Sequence, residues 1–491
     1  MVYRRGALNA LFLGAAMCAP AGAPPAAVPT PAQTPAAAPV AAESPPPADT
    51  PAPAPEIATA PQSDTEARLA ASVDPDPTVV RTGPDLTASE QGLFQRTVKP
   101  RLARDQWTTP ARYDAAYLFM LPLHAAFERN YPEGQQEFAD QVARFIADRA
   151  SVQLNADAQI SWLQYFYFLS RFMVLAADHG RTDLIPRELP GALHGWITQL
   201  WTRGPAWQWF RKPFPGGVRE RVEWKLSGEP GPGGKAFEHA ILDQELFLFA
   251  IGADLRHYGH TVGSKLAQDP LLEELDRYSR RVYDDRVRWN ADSGWTFQPG
   301  IWRDHPDHVY ECRTQKQAGL KPCDRIGGSE DASHTHRFPL WMRSLLEAAP
   351  AQSAERAYYT RLLWGLEKQF FDRVLVKPSP EFAGYRLRNY MDGDNGLYRW
   401  GYKQFGPDQG YGPYELSFAL LSSWWGFLPG PRARELFGNV AKEFPLSPQL
   451  LQVYMGPPPK GRPAGKPNGI LVDGTAKFLC LLAAELPDLP T

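Results

Sequence analysis

The stretch ISWLQYFYFLSRFMVLAA, from Ile160 to Ala177, is apolar on every side of a helix. A helix of that kind cannot lie on a surface, because a surface helix keeps a polar face toward water. Other elements must enclose it, and the chain has to supply them. The run LSFALLSSWWGFL at 416–428 repeats the pattern. Neither run offers the roughly 18 uncharged apolar residues of a membrane span.

Apolar residues recur at helical spacing over roughly 88–104, 111–130, 134–150, 156–179, 187–203, 236–258, 269–289, 338–349, 353–376, 413–427, 431–443 and 471–485. Two-residue alternation is scarce, so the expected fold class is all-α. No fixed repeat length is visible, which argues against a regular solenoid.

The first residues do not belong to that pattern. Arg4 and Arg5 precede an apolar stretch from Ala7 to Ala19 and then small residues, the layout of an export signal, with cleavage expected after Ala21. Lipid attachment at Cys18 is the alternative, weakened by the bulky Met17 before it. From Pro20 to Pro61 fourteen prolines stand among alanines. Such a composition favours an extended tether and cannot bury a core. The expected organisation is a signal peptide at 1–21, a Pro/Ala-rich linker at 22–87 and a folded domain at 88–491, in a periplasmic or secreted protein. In that setting Cys312 and Cys323, which flank RTQKQAGLKP, are expected to form a disulfide. Cys480 lies in an apolar helical pattern and reads as a buried thiol.

A net charge of −2 leaves no basic excess for nucleic acid or for a membrane surface. No glycine-rich phosphate loop and no GxSxG elbow is present, which removes support for nucleotide chemistry and for a serine hydrolase of that type.

Three long connections, roughly 204–235, 290–337 and 377–412, interrupt the helices and are rich in Trp, Tyr, Arg and Gly. Loops of that length in a folded domain usually serve a site. The second ends in SEDASHTHRFPLWM at 329–342, where Glu330, Asp331, His334, His336 and Arg337 crowd the entrance of a helix whose first turn suits Pro339. Capping needs one such group, not five. Four of the ten histidines, His305, His308, His334 and His336, lie within this connection. Their spacings, H-x-x-H and H-x-H, are too loose to define a metal centre. No cofactor is expected, with a divalent metal at His305, His308 and His334 as the alternative.

The third connection holds NYMDGDNGLYRWGYKQFGPDQGYGPYE, with Asn389, Asp392, Asp394, Tyr398, Arg399, Trp400 and Tyr402. Asp392 and Asp394 also fit a plain tight turn. Trp207, Trp209, Trp295 and Trp302 are candidate platforms, because indole faces stack on sugar rings and arginine forks grip carboxylates. Two features read as structural. His239, Asp243 and Glu245 on an apolar helix are expected to be satisfied locally, and His257 to His260 to cap that helix.

A dozen helices with long loops gathered between them resembles the α/α-toroid carbohydrate-active enzymes, in which helical hairpins form a double ring and glycan binds at one end. The resemblance covers 88–491, rests on architecture and site composition, and carries no family motif residue by residue. It implies a polysaccharide or oligosaccharide substrate. The expected reaction is β-elimination in an acidic glycan, using His334, His336, Arg337, Asn389 and Tyr398, with hydrolysis as the alternative. Hydrolysis would use paired carboxylates drawn from Glu330, Asp331, Asp392 and Asp394. Arg399, Trp400 and Tyr402 join the four tryptophans as binding residues. A non-catalytic envelope protein that binds glycan is the reading from another class. Catalysis requires the 329–337 and 389–402 loops to meet in one concave pocket; a scaffold permits them to lie apart.

Overall fold

The structure, a computed structural model, describes residues 83–109, 112–154, 159–204, 206–207, 213–323, 328–421, 424–458 and 469–488. The expected signal peptide, the Cys18 alternative and the linker up to residue 82 lie outside the described residues. Residues 83–87 are part of the folded body. The Gly83 amide donates to Glu128 O at 2.6 Å, Leu86 is buried, and the Arg129 guanidinium donates to Pro84 O at 2.8 Å. The domain therefore begins ahead of its first helix, because these residues close over its end.

That helix, α1 (Ala88–Thr97), starts at a Thr87–Glu90 capping box, which satisfies amide groups the first turn leaves open. There follow α2 (Arg112–Glu128), α3 (Pro132–Ala147), α4 (Gln159–Asp178), α5 (Leu189–Thr202), α6 (Gly217–Ser227), α7 (Asp243–Val262) and α8 (Pro270–Arg286). The second half of the chain adds α9 (Phe338–Ala348), α10 (Ala354–Gln369), α11 (Pro431–Lys442), α12 (Pro448–Met455) and α13 (Thr475–Ala484). The protein is predominantly helical, as the periodicity predicts. None of the described helices is long and apolar enough to cross a membrane.

Packing divides the helices into two kinds. α2 packs on α4, α4 on α7, α7 on α9, α9 on the turn Trp424–Phe427, that turn on α13, and α13 back on α2. The members of this closed series are enclosed: in α4 every residue from Ser161 to Ala177 is buried. The flanking helices bury one stripe only. α8, on α7, buries Leu272, Leu275, Asp276, Ser279, Val282 and Tyr283, the spacing of a single helical face. α3 lies on α2, α10 on α9, and α11 on α13.

Among the described residues, three two-stranded antiparallel pairs punctuate the connections: β1 (Ala206–Trp207) with β2 (Pro213–Phe214), β3 (Val287–Trp289) with β4 (Trp295–Phe297), and β5 (Leu375–Val376) with β6 (Arg386–Leu387). Two helices escaped the periodicity. α6 has too few apolar positions for a stripe, and α12 is short, although its Ser447 cap and Pro448 are ordinary start signals. The helix expected over 236–258 begins only at Asp243, after a separate turn at Ala236–His239, and the one over 413–427 breaks into two short turns.

Candidate active site

The backbone brings the two polar stretches together. Asp331 and Tyr390 form an antiparallel bridge, Met391 N–H donates to Glu330 O at 2.8 Å, and Ala332 N–H donates to Asn389 O at 2.8 Å. Asp331 then caps the one-turn helix Ala332–Thr335, accepting from Ser333 N–H at 2.9 Å, so its neighbours are fixed in direction. A third stretch joins them through Asp307, whose carbonyl and carboxylate accept from the Arg399 amide and Nε, both at 2.8 Å. The Cys312–Cys323 disulfide closes the loop that follows. Gln298 and Arg399 sit at φ +37° and +53°, a region that side chains other than glycine rarely adopt.

Two adjacent carboxyls are driven to opposite states. Glu330 is only 6% exposed, and its hydrogen-bond donors are neutral, Gln298 Nε2 at 2.5 Å and the Trp302 side chain, while the charge of nearby His334 offsets burial only in part. Burial dominates and pushes its carboxyl up to about 7. Asp331 is buried too, yet the charge and hydrogen bond of His334, with His308 and Arg399 nearby, hold it well below the carboxylate range. His334 Nδ1 lies 2.6 Å from Asp331 Oδ2, and the Tyr398 hydroxyl donates to the same carboxylate. Burial lowers His334, but Asp331 outweighs it and raises the imidazole above its ordinary value. With a side chain 24% exposed, His334 is a braced ring whose other nitrogen is available to a ligand.

The other histidines have a different character. His308 stacks on Trp302 with centroids 5.3 Å apart and meets Tyr390 and Tyr398, while His305 packs edge-on to Phe237. Burial lowers His305 and brings His308 down to about 3. His336 stacks on Tyr117, and burial lowers it as well. These rings are neutral packing partners. Among the described residues no group of three or more His, Cys, Asp or Glu side chains stands where it could hold a metal ion.

Arg337 is buried and tied on three sides, to the Asp243 carboxylate and to the hydroxyls of Tyr113 and Tyr117. Asp243 and Tyr113 are site residues that the sequence reading missed. Asp243 is the first residue of α7 and carries a side chain 19% exposed, so it does more than serve its own helix. An acid in a first turn is too common to stand out.

Several expected site residues serve elsewhere. Asn389 is fully buried and spends its carboxamide on the loop, donating to Gly396 O and Gly412 O at 2.8 Å and accepting from Leu416 N–H. It shapes the site and offers no group to a ligand. Trp295 is 0% exposed, donates to Leu362 O and packs against Phe338, so it is core and cannot be a sugar platform. Trp302 and Trp400 are buried; Tyr402 is half-buried beneath Arg399. Asp392 accepts from Asp394 N–H at 2.9 Å, as a tight turn requires. The side chain of Trp207, and Trp209 altogether, lie outside the described residues.

Comparison of the chain with protein-family models, with curated proteins and with solved structures gives no match.

Proposed function

We propose that this protein cleaves glycosidic bonds in a polysaccharide or oligosaccharide, with hydrolysis as the reaction. The observation that carries the reading is the contrast between Glu330, whose proton is retained up to about pH 7, and its neighbour Asp331, held ionised. Environments that push paired titratable groups apart mark acid and base roles. Glu330 donates a proton to the leaving oxygen. Asp243, partly exposed beside Arg337, takes the proton of the attacking water, the division of labour that glycoside hydrolysis needs. Asp331 braces His334, which orients a substrate hydroxyl.

The architecture agrees with this reading. The closed series from α2 to α13 supports likening it to the inner ring of an α/α toroid, with Tyr113 and Asp243 in the first turns of two of its helices and Arg337 at the N-cap of a third. The bridge between the 329–337 and 389–402 loops brings their polar groups side by side, which supports a catalytic reading over a scaffold.

β-Elimination in an acidic glycan is the second reading, and the Asp331–His334 pair favours it, because a braced, part-exposed imidazole can abstract a proton from carbon. The full chain incubated with a panel of uronate-containing and neutral polysaccharides separates the two. Hydrolysis gives new reducing ends without unsaturated-uronate absorbance; elimination gives both. Glu330→Gln is expected to lower the rate by about 10²–10⁴-fold. Full activity in that variant sinks the assignment of Glu330.

A further inference from the structure

The β5–β6 hairpin carries an arginine that this chemistry does not use. The Arg386 guanidinium lies between two rings, 4.0 Å from the centroid of Phe382 and 4.2 Å from that of Tyr414. Its Nε is buried without a hydrogen-bond partner, and among the described residues no carboxylate pairs with it. Arg337, Arg343 and Arg399 each have one. A half-buried cation left without an anion, in a chain with 54 acidic residues, is costly unless something else neutralises it. The two rings fix its plane and reduce its rotamer freedom, which leaves a rigid fork of donors suited to a two-point grip on an oxyanion.

This clamp is built into the loop that forms the active site. Tyr414 sits at φ +68°, and its N–H donates to Asn395 Oδ1 at 2.9 Å. The same oxygen accepts from the Asn389 amide at 3.3 Å, three residues beyond Arg386 and next to the Tyr390 bridge to Asp331. A strained aromatic residue is thus held over the guanidinium by the scaffold that positions the carboxyls.

We propose that Arg386, clamped between Phe382 and Tyr414, is a subsite for the carboxylate of an acidic sugar unit in the substrate glycan. The substrate assignment rests on the glycan-cleaving reading; anion binding at Arg386 does not. A sulfate ester presents the same oxyanion geometry and is the competing source.

The test follows the Arg386 Nε–H resonance of the full chain by NMR, identified by its loss in Arg386→Lys, while glucuronate, glucose, sulfate or chloride is added at matched ionic strength. Saturable movement with glucuronate, and none with glucose or chloride, is the expected result. In parallel, Glu330→Gln protein is titrated with acidic and neutral oligosaccharides. Adding Arg386→Gln is expected to weaken the acidic ligand by about tenfold or more and leave the neutral one unchanged, as loss of a charge-assisted hydrogen bond implies. Arg386→Lys, which keeps the charge and loses the fork, should fall between. Movement with sulfate alone overturns the carboxylate assignment, and no movement beyond that with chloride overturns the subsite. Cleavage of glycan with a silent Arg386 leaves the glycosidase reading standing without the subsite; movement with glucuronate but no cleavage of any glycan does the reverse.

Discussion

Two buried, charge-rich regions differ in what their carboxyls are given as partners. Toward the carboxy-terminal ends of α2, α4, α7 and α9, Glu128 and Glu347 meet Arg343, Glu347 also meets Arg171 at 2.8 Å, and Arg171 meets Asp254 at 2.8 Å. His257, expected to cap its own helix, instead pairs with Asp178 of α4 at 2.9 Å. Burial opposes ionisation of Glu128, yet Arg343 and His124 bring it down to about 2. At the other end Glu330 is as buried, but Gln298 and Trp302 are neutral donors. The number of charges does not separate a structural knot from a reactive centre. The sign of the nearest partner does, because a guanidinium commits a carboxyl to one protonation state while a neutral donor leaves it free to exchange a proton.

The strongest way to break this comparison is to remove the guanidinium from the structural end. Arg343→Met leaves Glu128 and Glu347 short of their shared cation, and loss of one partner from a buried ion pair costs about 3–5 kcal/mol. Chemical denaturation should show that loss near neutral pH. A change below about 1 kcal/mol would mean that the knot is no more structural than the site.

Glu330 should behave in the opposite sense. Its folded-state value, about 7, lies above the ordinary 4.5, so the folded protein holds the proton more tightly than the unfolded chain does. Stability is unaffected below about pH 4.5, falls as pH rises toward 7, and carries the full penalty above that, about 3 kcal/mol. Glu330→Gln is neutral throughout. It is expected to match the wild type at pH 4 and to exceed it in unfolding free energy by up to about 3 kcal/mol at pH 8, while catalysis is lost. Catalysis by the wild type should decline as pH rises through about 7. An unchanged stability difference between pH 4 and pH 8 would show that Glu330 is already ionised in the fold.

Much of the fold was legible because enclosed helices write their burial into the sequence on every face, as Ile160–Ala177 does, and flanking helices write it as a stripe, as in α8. The polar surplus at 329–337 was legible as more than a helix entrance uses, but its meeting with 389–402 was not, because the Asp331–Tyr390 bridge joins segments far apart in the chain. Nor was the division of labour within that surplus. Glu330 keeps its proton because burial outweighs the His334 charge and the hydrogen bonds from Gln298 and Trp302, and no local pattern records that. His336 and Asn389 looked reactive by residue type, but one stacks on Tyr117 and the other holds its own loop. Asp243 looked like an ordinary first-turn acid until Arg337 arrived beside it from another helix.

The smallest effect sharpens the comparison most, because it acts on one proton. Asp331 holds His334 above its ordinary value against the pull of burial and of Arg337. A raised imidazole contributes stability that is full below its unfolded value, near 6.5, and is lost as pH rises through the folded one. Asp331→Asn removes the charge and keeps the shape. Burial and Arg337 are then opposed by Asp243 alone, and His334 should titrate below its ordinary value instead of above it, as His308 does among its aromatic neighbours. The histidine ring resonances followed by NMR against pH measure this directly. If His334 is unmoved by Asp331→Asn, its charge is set by Asp243 and not by the carboxylate at 2.6 Å. The acid–base unit would then be centred on α7, and Asp331 would be a cap for the one-turn helix alone.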